Sequence, residues 1–397
     1  MAKATPTHVT NVDVLIVGSG PTGSSIALHL VKRNPAWANR ILVVDKAVHP
    51  RDKRCGGGII HLGRNVLTDL GLPFEPANFG VQEVRLQYQD KAYSFRGDPV
   101  FRIVRRREFD HWLVQKVEER DIVVSQGEAV RDIRPKSTYV SVLTDQREIR
   151  AQILIAADGS RSFIRSKLKW NDESRVARLL EVDTPEDPER QWNFKDKVAV
   201  FDFTHMTDKL QGYYWDFPSF VDGEPIMNRG VFDSRSRPEK PKADLKGVLR
   251  DSMAERERNL EDYKLKGHPI RWFDRRGKFS SPRVLLAGDA AGVDPLFGEG
   301  ISFALAYGEP VAETVEDAFE RSDFSLESYK TRLMSYPMFK QLDARVRLAR
   351  FAYLMKYPRF VRWGWRAAKF VVSKTRWRDP NYVPANPMPD LEVIANP

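Results

Sequence analysis

Six residues near the N-terminus, Gly18-Ser19-Gly20-Pro21-Thr22-Gly23, have the spacing of a turn that can hold a phosphate. In such a GxGxxG turn the first glycine permits the tight bend and the second lets a pyrophosphate approach the backbone. The third allows a helix to pack closely, and the N-terminus of that helix stabilises the anion. Asp45, 22 residues beyond Gly23, stands near the position from which an acid hydrogen-bonds a ribose hydroxyl. This chemistry needs a strand before the turn and a helix after it. Residues 12–17 are apolar except for Asp13, residues 24–32 have helical spacing, and a second apolar strand, residues 40–44, ends at Asp45. Strand, turn, helix, strand and acid in that order point to an adenine dinucleotide without separating a nicotinamide from a flavin.

Two later turns separate them. Residues 149–157 read as a strand ending in Asp158-Gly159, with Ser162 and Arg165 beyond it, and residues 283–287 as another ending in Gly288-Asp289. Pro295 and Gly298-Glu299-Gly300-Ile301 follow, opening a helix expected to run to about residue 318. A nicotinamide domain has no need of a second acid and glycine turn so far downstream. A flavin has one, because its ribityl hydroxyls want a carboxylate acceptor and its reduced ring carries negative charge that backbone N–H groups at a helix start can face. Asp289 and Gly300 are therefore candidate flavin ligands.

The three fingerprints, in this order, resemble flavoproteins of the para-hydroxybenzoate hydroxylase fold. Within that group the chain is similar to the geranylgeranyl reductase family over about residues 10–330. Arg54-Cys55-Gly56-Gly57-Gly58-Ile59 fits its CGGG turn, Tyr213-Tyr214-Trp215-Asp216-Phe217-Pro218 its YxWxFP segment, and Val104, Arg106, Phe109 and Asp110 its VxRxxFD pattern; Gly288-Asp289-Ala290-Ala291-Gly292 matches as well. The resemblance implies FAD, with NADPH or a small redox protein as electron donor, and hydrogenation of carbon–carbon double bonds in a geranylgeranyl-type lipid. The cofactor set it implies is Gly18, Gly20, Gly23, Asp45, Lys46, Cys55, Gly56, Gly57, Arg106, Val130, Asp158, Gly288, Asp289, Gly298, Gly300 and Ile301, without a metal. A competing resemblance is to flavin-dependent halogenases and related monooxygenases, which act on aromatic substrates or protein side chains. Gly212 to Pro218 keeps the frame of their GWxWxIP segment, and its Tyr213 and Phe217 departures favour the reductase.

Cys55 precedes three glycines, where the backbone can press close to a flavin. Its thiol is expected near the substrate, with two roles open: proton donor to an alkene carbon, or small buried hydrophobe. Tyr213, Trp215 and Phe217 alternate on one strand face. They either line an elongated apolar tunnel for the substrate or form a plain sheet core, and the family match favours the tunnel. His61 reads as structural. Within Arg105-Arg106-Arg107, the middle residue is expected at the cofactor and its neighbours in solvent.

The elements that must position these groups fit an α/β chain. A Rossmann-type FAD-binding domain (1–81, 99–169 and 278–330) is interleaved with a mainly antiparallel β-sheet substrate domain (82–98 and 170–277). A basic helical C-terminal segment and extended tail follow (331–397). Strands are expected at 82–93, 197–203, 211–217 and 225–232. Composition agrees: 397 residues, 42% hydrophobic, with mean hydropathy -0.48, exclude a disordered, collagenous or multispan membrane protein. A lone cysteine excludes an internal disulfide, and neither a signal peptide nor an apolar run of about 18–20 residues is present, so a cytoplasmic location is expected.

The net charge of +10 is concentrated. Residues 340–378 carry twelve Lys and Arg against the single acid Asp343, a net +11 that leaves -1 for the rest. Interleaved aromatics and a break at Pro358 suit a peripheral anchor on an anionic membrane surface. A nucleic-acid patch and a solvated helical face are the other readings; the membrane is favoured, and no nucleic-acid partner is expected.

Overall fold

The computed structural model describes residues 9–170, 176–354, 364 and 393–395. Among them, the apolar strand Val9–Val17 lies at the centre of an eight-stranded sheet. It is flanked in parallel by Ile41–Asp45 and Glu148–Ala156. Val123–Gln126 extends one edge, and Val284–Leu286 and then Ser280–Ser281 the other, while the hairpin Val130–Pro135 and Val140–Thr144 joins the outer part of Glu148–Ala156. Val14, Leu15, Ile16 and Ile153 to Ala156 are fully buried because helices cover this parallel sheet. Pro21–Arg33 begins with proline at its first turn, where a missing N–H costs no bond.

The second sheet has nine strands, in the order Lys266–Arg271, Val176–Pro185, Glu224–Asp233, Gly212–Val221, Val198–Asp202, Asn78–Tyr88, Lys91–Val104 and Val393–Ala395, with Gly58–Ile59 paired to Lys91–Val104. It is antiparallel except where Val198–Asp202 runs parallel to Asn78–Tyr88. A mixed α/β chain with one mainly parallel and one mainly antiparallel sheet is thus present.

Three local expectations are corrected. Residues 82–93 do not form one strand: Gln89, at φ 54°, turns the chain between two strands that pair from Tyr88↔Lys91 out to Asn78↔Val104. The excursion into the second sheet accordingly spans 78–104 rather than 82–98. The helix after Gly300 is broken, Ile301–Ala306 being followed by Gly308–Glu320. Pro310 accounts for the break, because it has no N–H for the Ala306 carbonyl and its ring crowds that group.

Helices Ser328–Ser335 and Pro337–Ala352 bury Tyr329, Leu333, Phe339 and Leu342; the Tyr329 hydroxyl donates to the Leu286 carbonyl of the first sheet, and the Phe339 ring packs on Phe273 and Tyr307. Pro358, the interleaved aromatics from Tyr357 to Trp377, and Arg359, Arg362, Arg366 and Lys369 of the expected anchor lie outside the described residues.

Candidate functional site

A cavity of about 1620 Å³ is lined by residues from both sheets and from the loops and helices beside them. Of the residues expected at a site, Gly18, Gly20, Asp45, Lys46, Cys55, Gly56, Gly57, Arg106, Val130, Asp158, Asp289, Gly298, Gly300, Ile301, Tyr213, Trp215 and Phe217 all line it. Gly23 and Gly288 do not. A Cβ on Gly23 would stand 1.8 Å from the Gly18 carbonyl oxygen, and one on Gly288, at φ 58°, 2.0 Å from Thr22 Oγ1. Both glycines close the turn from behind.

Gly20 is different. A Cβ there would meet only Arg51 Nη2 at 3.6 Å and Arg106 Nη2 at 4.0 Å, so the space above it belongs to the cavity and faces two guanidinium groups. Asp45 holds this turn: Oδ2 accepts from the Ser19 N–H and hydroxyl, each at 2.8 Å, and Oδ1 from the Ala47 N–H at 2.9 Å.

Arg106 grips the fully buried Asp110 through Nε at 2.6 Å and Nη2 at 2.8 Å, one helical turn apart, and Arg51 reaches the same carboxylate at 3.2 Å. Burial opposes the charge on Arg106, and Asp110 more than offsets that, holding its pKa above the ordinary value. Lys53 Nζ lies 2.6 Å from His268 Nε2. Burial, then Arg106, lowers Lys53 to about 8, whereas burial and Lys53 lower His268 to about 3, so the neutral imidazole accepts from the ammonium.

Arg51, Lys53 and His268 were not singled out from sequence. The run Arg51-Asp52-Lys53-Arg54 before Cys55 was the available signal for the first two. His268 comes from a remote strand. Arg105 does not face solvent as expected: it forms a bidentate pair with Asp183 at 3.1 and 2.9 Å. His61, read as structural, lines the cavity.

Beyond the cations, Asp158 Oδ1 is buried without a partner while Oδ2 accepts the Ile164 N–H at 3.1 Å. Burial pushes up the carboxyls of both Asp158 and Asp289. An unpaired buried acceptor is expensive unless a ligand donor meets it. The Cys55 loop reaches the cavity because Gly57, at φ 80°, packs where a Cβ would be 2.0 Å from the Val104 carbonyl. The Gly57 N–H points to Cys55 Sγ at 3.4 Å, and burial raises the thiol pKa although Arg106 favours the thiolate.

The roof is aromatic on one face and ionic on the other. Tyr213, Trp215 and Phe217 face the cavity with Phe201, Phe232 and Phe297, and the Tyr213 hydroxyl donates to the Phe297 carbonyl. Trp215 lies over Gly230, where a Cβ would come within 2.2 Å of its ring. Its indole N–H donates to Asn228 at 2.8 Å, and Asn228 donates to Asp183 at 2.9 Å. On the opposite face Tyr214 and Asp216 join a buried network with Arg229 and Glu186.

The chain matches the family model described as an FAD binding domain over residues 11–306. It belongs to that family. Among curated relatives it is 28% identical to the menaquinone reductase of Mycobacterium tuberculosis over 342 residues, 77% of each chain. It is also 28% identical to digeranylgeranylglycerophospholipid reductase 2 of Methanopyrus kandleri over 344 residues, 81% of each chain. Among solved structures it is similar to a geranylgeranyl bacteriochlorophyll reductase-like protein of Thermoplasma acidophilum, with TM-score 0.70 and 19% identity over 87% of each chain. The halogenase PltM shares the fold at TM-score 0.66 and 15% identity, covering 86% of this chain and 76% of that one.

The protein is therefore an FAD-dependent oxidoreductase, and its cavity suits that cofactor. Arg51 and Arg106 stand over Gly20, where the turn would bring a pyrophosphate, and Asp158 and Asp289 offer acceptors to hydroxyls.

Glu181 was also missed. It is 3% exposed, its Oε2 has no partner, and burial, then Asp183, raises its carboxyl to about 7. A carboxyl with a folded pKa above its ordinary 4.5 keeps a proton that the unfolded chain releases. Its relative stabilisation is thus fully present below about 4.5 and lost as pH rises to about 7. Glu181→Gln should raise unfolding stability by about 1–3 kcal/mol at pH 8 and leave it nearly unchanged at pH 4. Denaturant melts at both pH values check this, and equal effects would remove the carboxyl as the cause.

Proposed function

We propose that this oxidoreductase hydrogenates carbon–carbon double bonds of a geranylgeranyl-type isoprenoid lipid. The observation that carries the reading is the continuity of the cavity. One lining takes in the glycine turn, the aromatic roof and the apolar side chains Val84, Leu86, Phe95, Val100 and Phe101. At about 1620 Å³ it exceeds the roughly 300–1,000 Å³ of a single-ligand site, which suits a cofactor together with a long apolar chain. The names of the M. kandleri relative and the T. acidophilum neighbour point to the same substrate class.

FAD, when bound, supplies hydride chemistry. The chain's own contribution is to orient the substrate, exclude water and hold a proton. Phe201, Phe217 and Phe232 present apolar surface, while the hydrogen bonds of Tyr213 and Trp215 fix their rings. The Cys55 thiol, kept protonated by burial, is the proton donor in this reading.

Trp215→Ala should reduce turnover at least about tenfold while leaving the FAD spectrum intact, because it removes a cavity wall and takes from Asn228 Oδ1 its indole donor. A core residue alone would instead give a loss of about 3–5 kcal/mol in stability with unchanged specific activity. Mass spectrometry of material extracted from the purified protein tests the substrate class. Prenyl lipids are the expected finding. Aromatic metabolites would favour the halogenase or monooxygenase reading that PltM and the Gly212 to Pro218 frame support.

A further inference from the structure

We infer that the helix Pro337–Ala352 and the turn after it dock the enzyme on an anionic lipid bilayer. Eight large hydrophobic side chains are exposed among the described residues, and three of them, Leu348 (52%), Phe351 (64%) and Leu354 (46%), fall within seven positions here. Lys340, Arg347 and Arg350 are exposed on the same helix. The only acid on it, Asp343, is mostly covered and paired with Arg275 and Arg347, each at 3.5 Å. Exposed apolar groups beside exposed cations, which outnumber the one acid of the helix, match an interface where acyl chains lie beneath anionic headgroups. The surrounding stretch at +11, in a chain otherwise near neutral, gives the matching charge.

The surface is held firmly from below. Met338, Phe339, Leu342, Ala349 and Tyr353 are buried. Arg345 pairs with the buried Asp294 at 2.7 Å, Arg237 donates to the Arg350 carbonyl at 2.6 Å, and Lys240 donates to the Tyr353 carbonyl. The helix also lines the cavity through Met338, Gln341 and Arg345, and Gln341 is exposed. Docking here brings the cavity to the bilayer, so the inference deepens the proposed lipid substrate by stating where it is met.

The test is cosedimentation of the full-length, FAD-loaded protein with phosphatidylcholine vesicles containing or lacking about 30% phosphatidylserine. Binding should require the anionic lipid and fall as salt rises from about 0.1 M toward 0.5 M. The triple variant Leu348→Ser, Phe351→Ser, Leu354→Ser should partition at least about tenfold more weakly, with unchanged melting temperature, flavin spectrum and turnover of detergent-solubilised substrate. Equal binding by variant and wild type, or no binding by the wild type, overturns the inference. A dimer in light scattering that the variant abolishes, without vesicle binding, assigns the patch to a second copy and overturns it too. Vesicle binding is read without substrate, so failure of the substrate assignment would appear only in turnover.

Discussion

Gly20→Val is expected to yield a folded protein with no flavin absorbance. The reason lies in the difference between three glycines of one turn. At Gly18, φ is 105° and a Cβ would lie 2.4 Å from the Ala157 carbonyl oxygen; at Gly23 it would lie 1.8 Å from that of Gly18. Substitution at either position strains the backbone and endangers folding. At Gly20 the nearest atoms are guanidinium nitrogens at 3.6 and 4.0 Å, so the chain accommodates a side chain, but that side chain fills the space a pyrophosphate requires. Circular dichroism and thermal melting should match the wild type closely, while absorbance near the flavin bands is lost. Full FAD occupancy in Gly20→Val would contradict the placement of the pyrophosphate over this turn.

The second large effect is at Cys55. Cys55→Ala should lower turnover about 10²–10⁴-fold, the usual contribution of a positioned proton donor, without altering FAD binding. The thiol is the right species at neutral pH because burial raises its pKa. Cys55→Ser should retain more activity than alanine, since a hydroxyl occupies the same place and carries a proton. Turnover in Cys55→Ala within about twofold of wild type would make the residue a packing group beneath the roof.

The reading frame of the site was legible because each part of it sits on a local pattern. A glycine turn between an apolar strand and a helix, and acids at strand ends, are visible one segment at a time. What was not legible depends on elements meeting. Lys53 and His268 are 215 positions apart, and only the crossing of the Cys55 loop with a roof strand makes them partners. Glu181 sits on a strand with Leu179 and Asp183 on the same face, and nothing in that alternation says that the face is buried against Cys55. Arg105 looked solvent-facing because its partner, Asp183, lies on another strand. The turn at Gln89 was hidden because apolar alternation continues across it, while Asp90 gives only a weak turn signal. Asp45 reads from the sequence as a ribose acid, and in the structure its carboxylate fastens Ser19 and Ala47, a local role that residue type and position do not announce.

The aromatic row poses the same problem more acutely. Tyr213, Trp215 and Phe217 are each at most 7% exposed, as core residues would be, and yet they line the cavity. Burial alone does not separate a wall from a core, and the cavity on one side of the row does.

The measurement that bears most directly on the account is anaerobic turnover of the FAD-loaded, prereduced protein with a geranylgeranyl lipid, followed by mass spectrometry of the lipid. The account predicts a gain of two hydrogens for each double bond reduced, together with flavin oxidation. An unaltered lipid, combined in air with rapid flavin oxidation and with hydroxylation or halogenation of an aromatic compound, would contradict it.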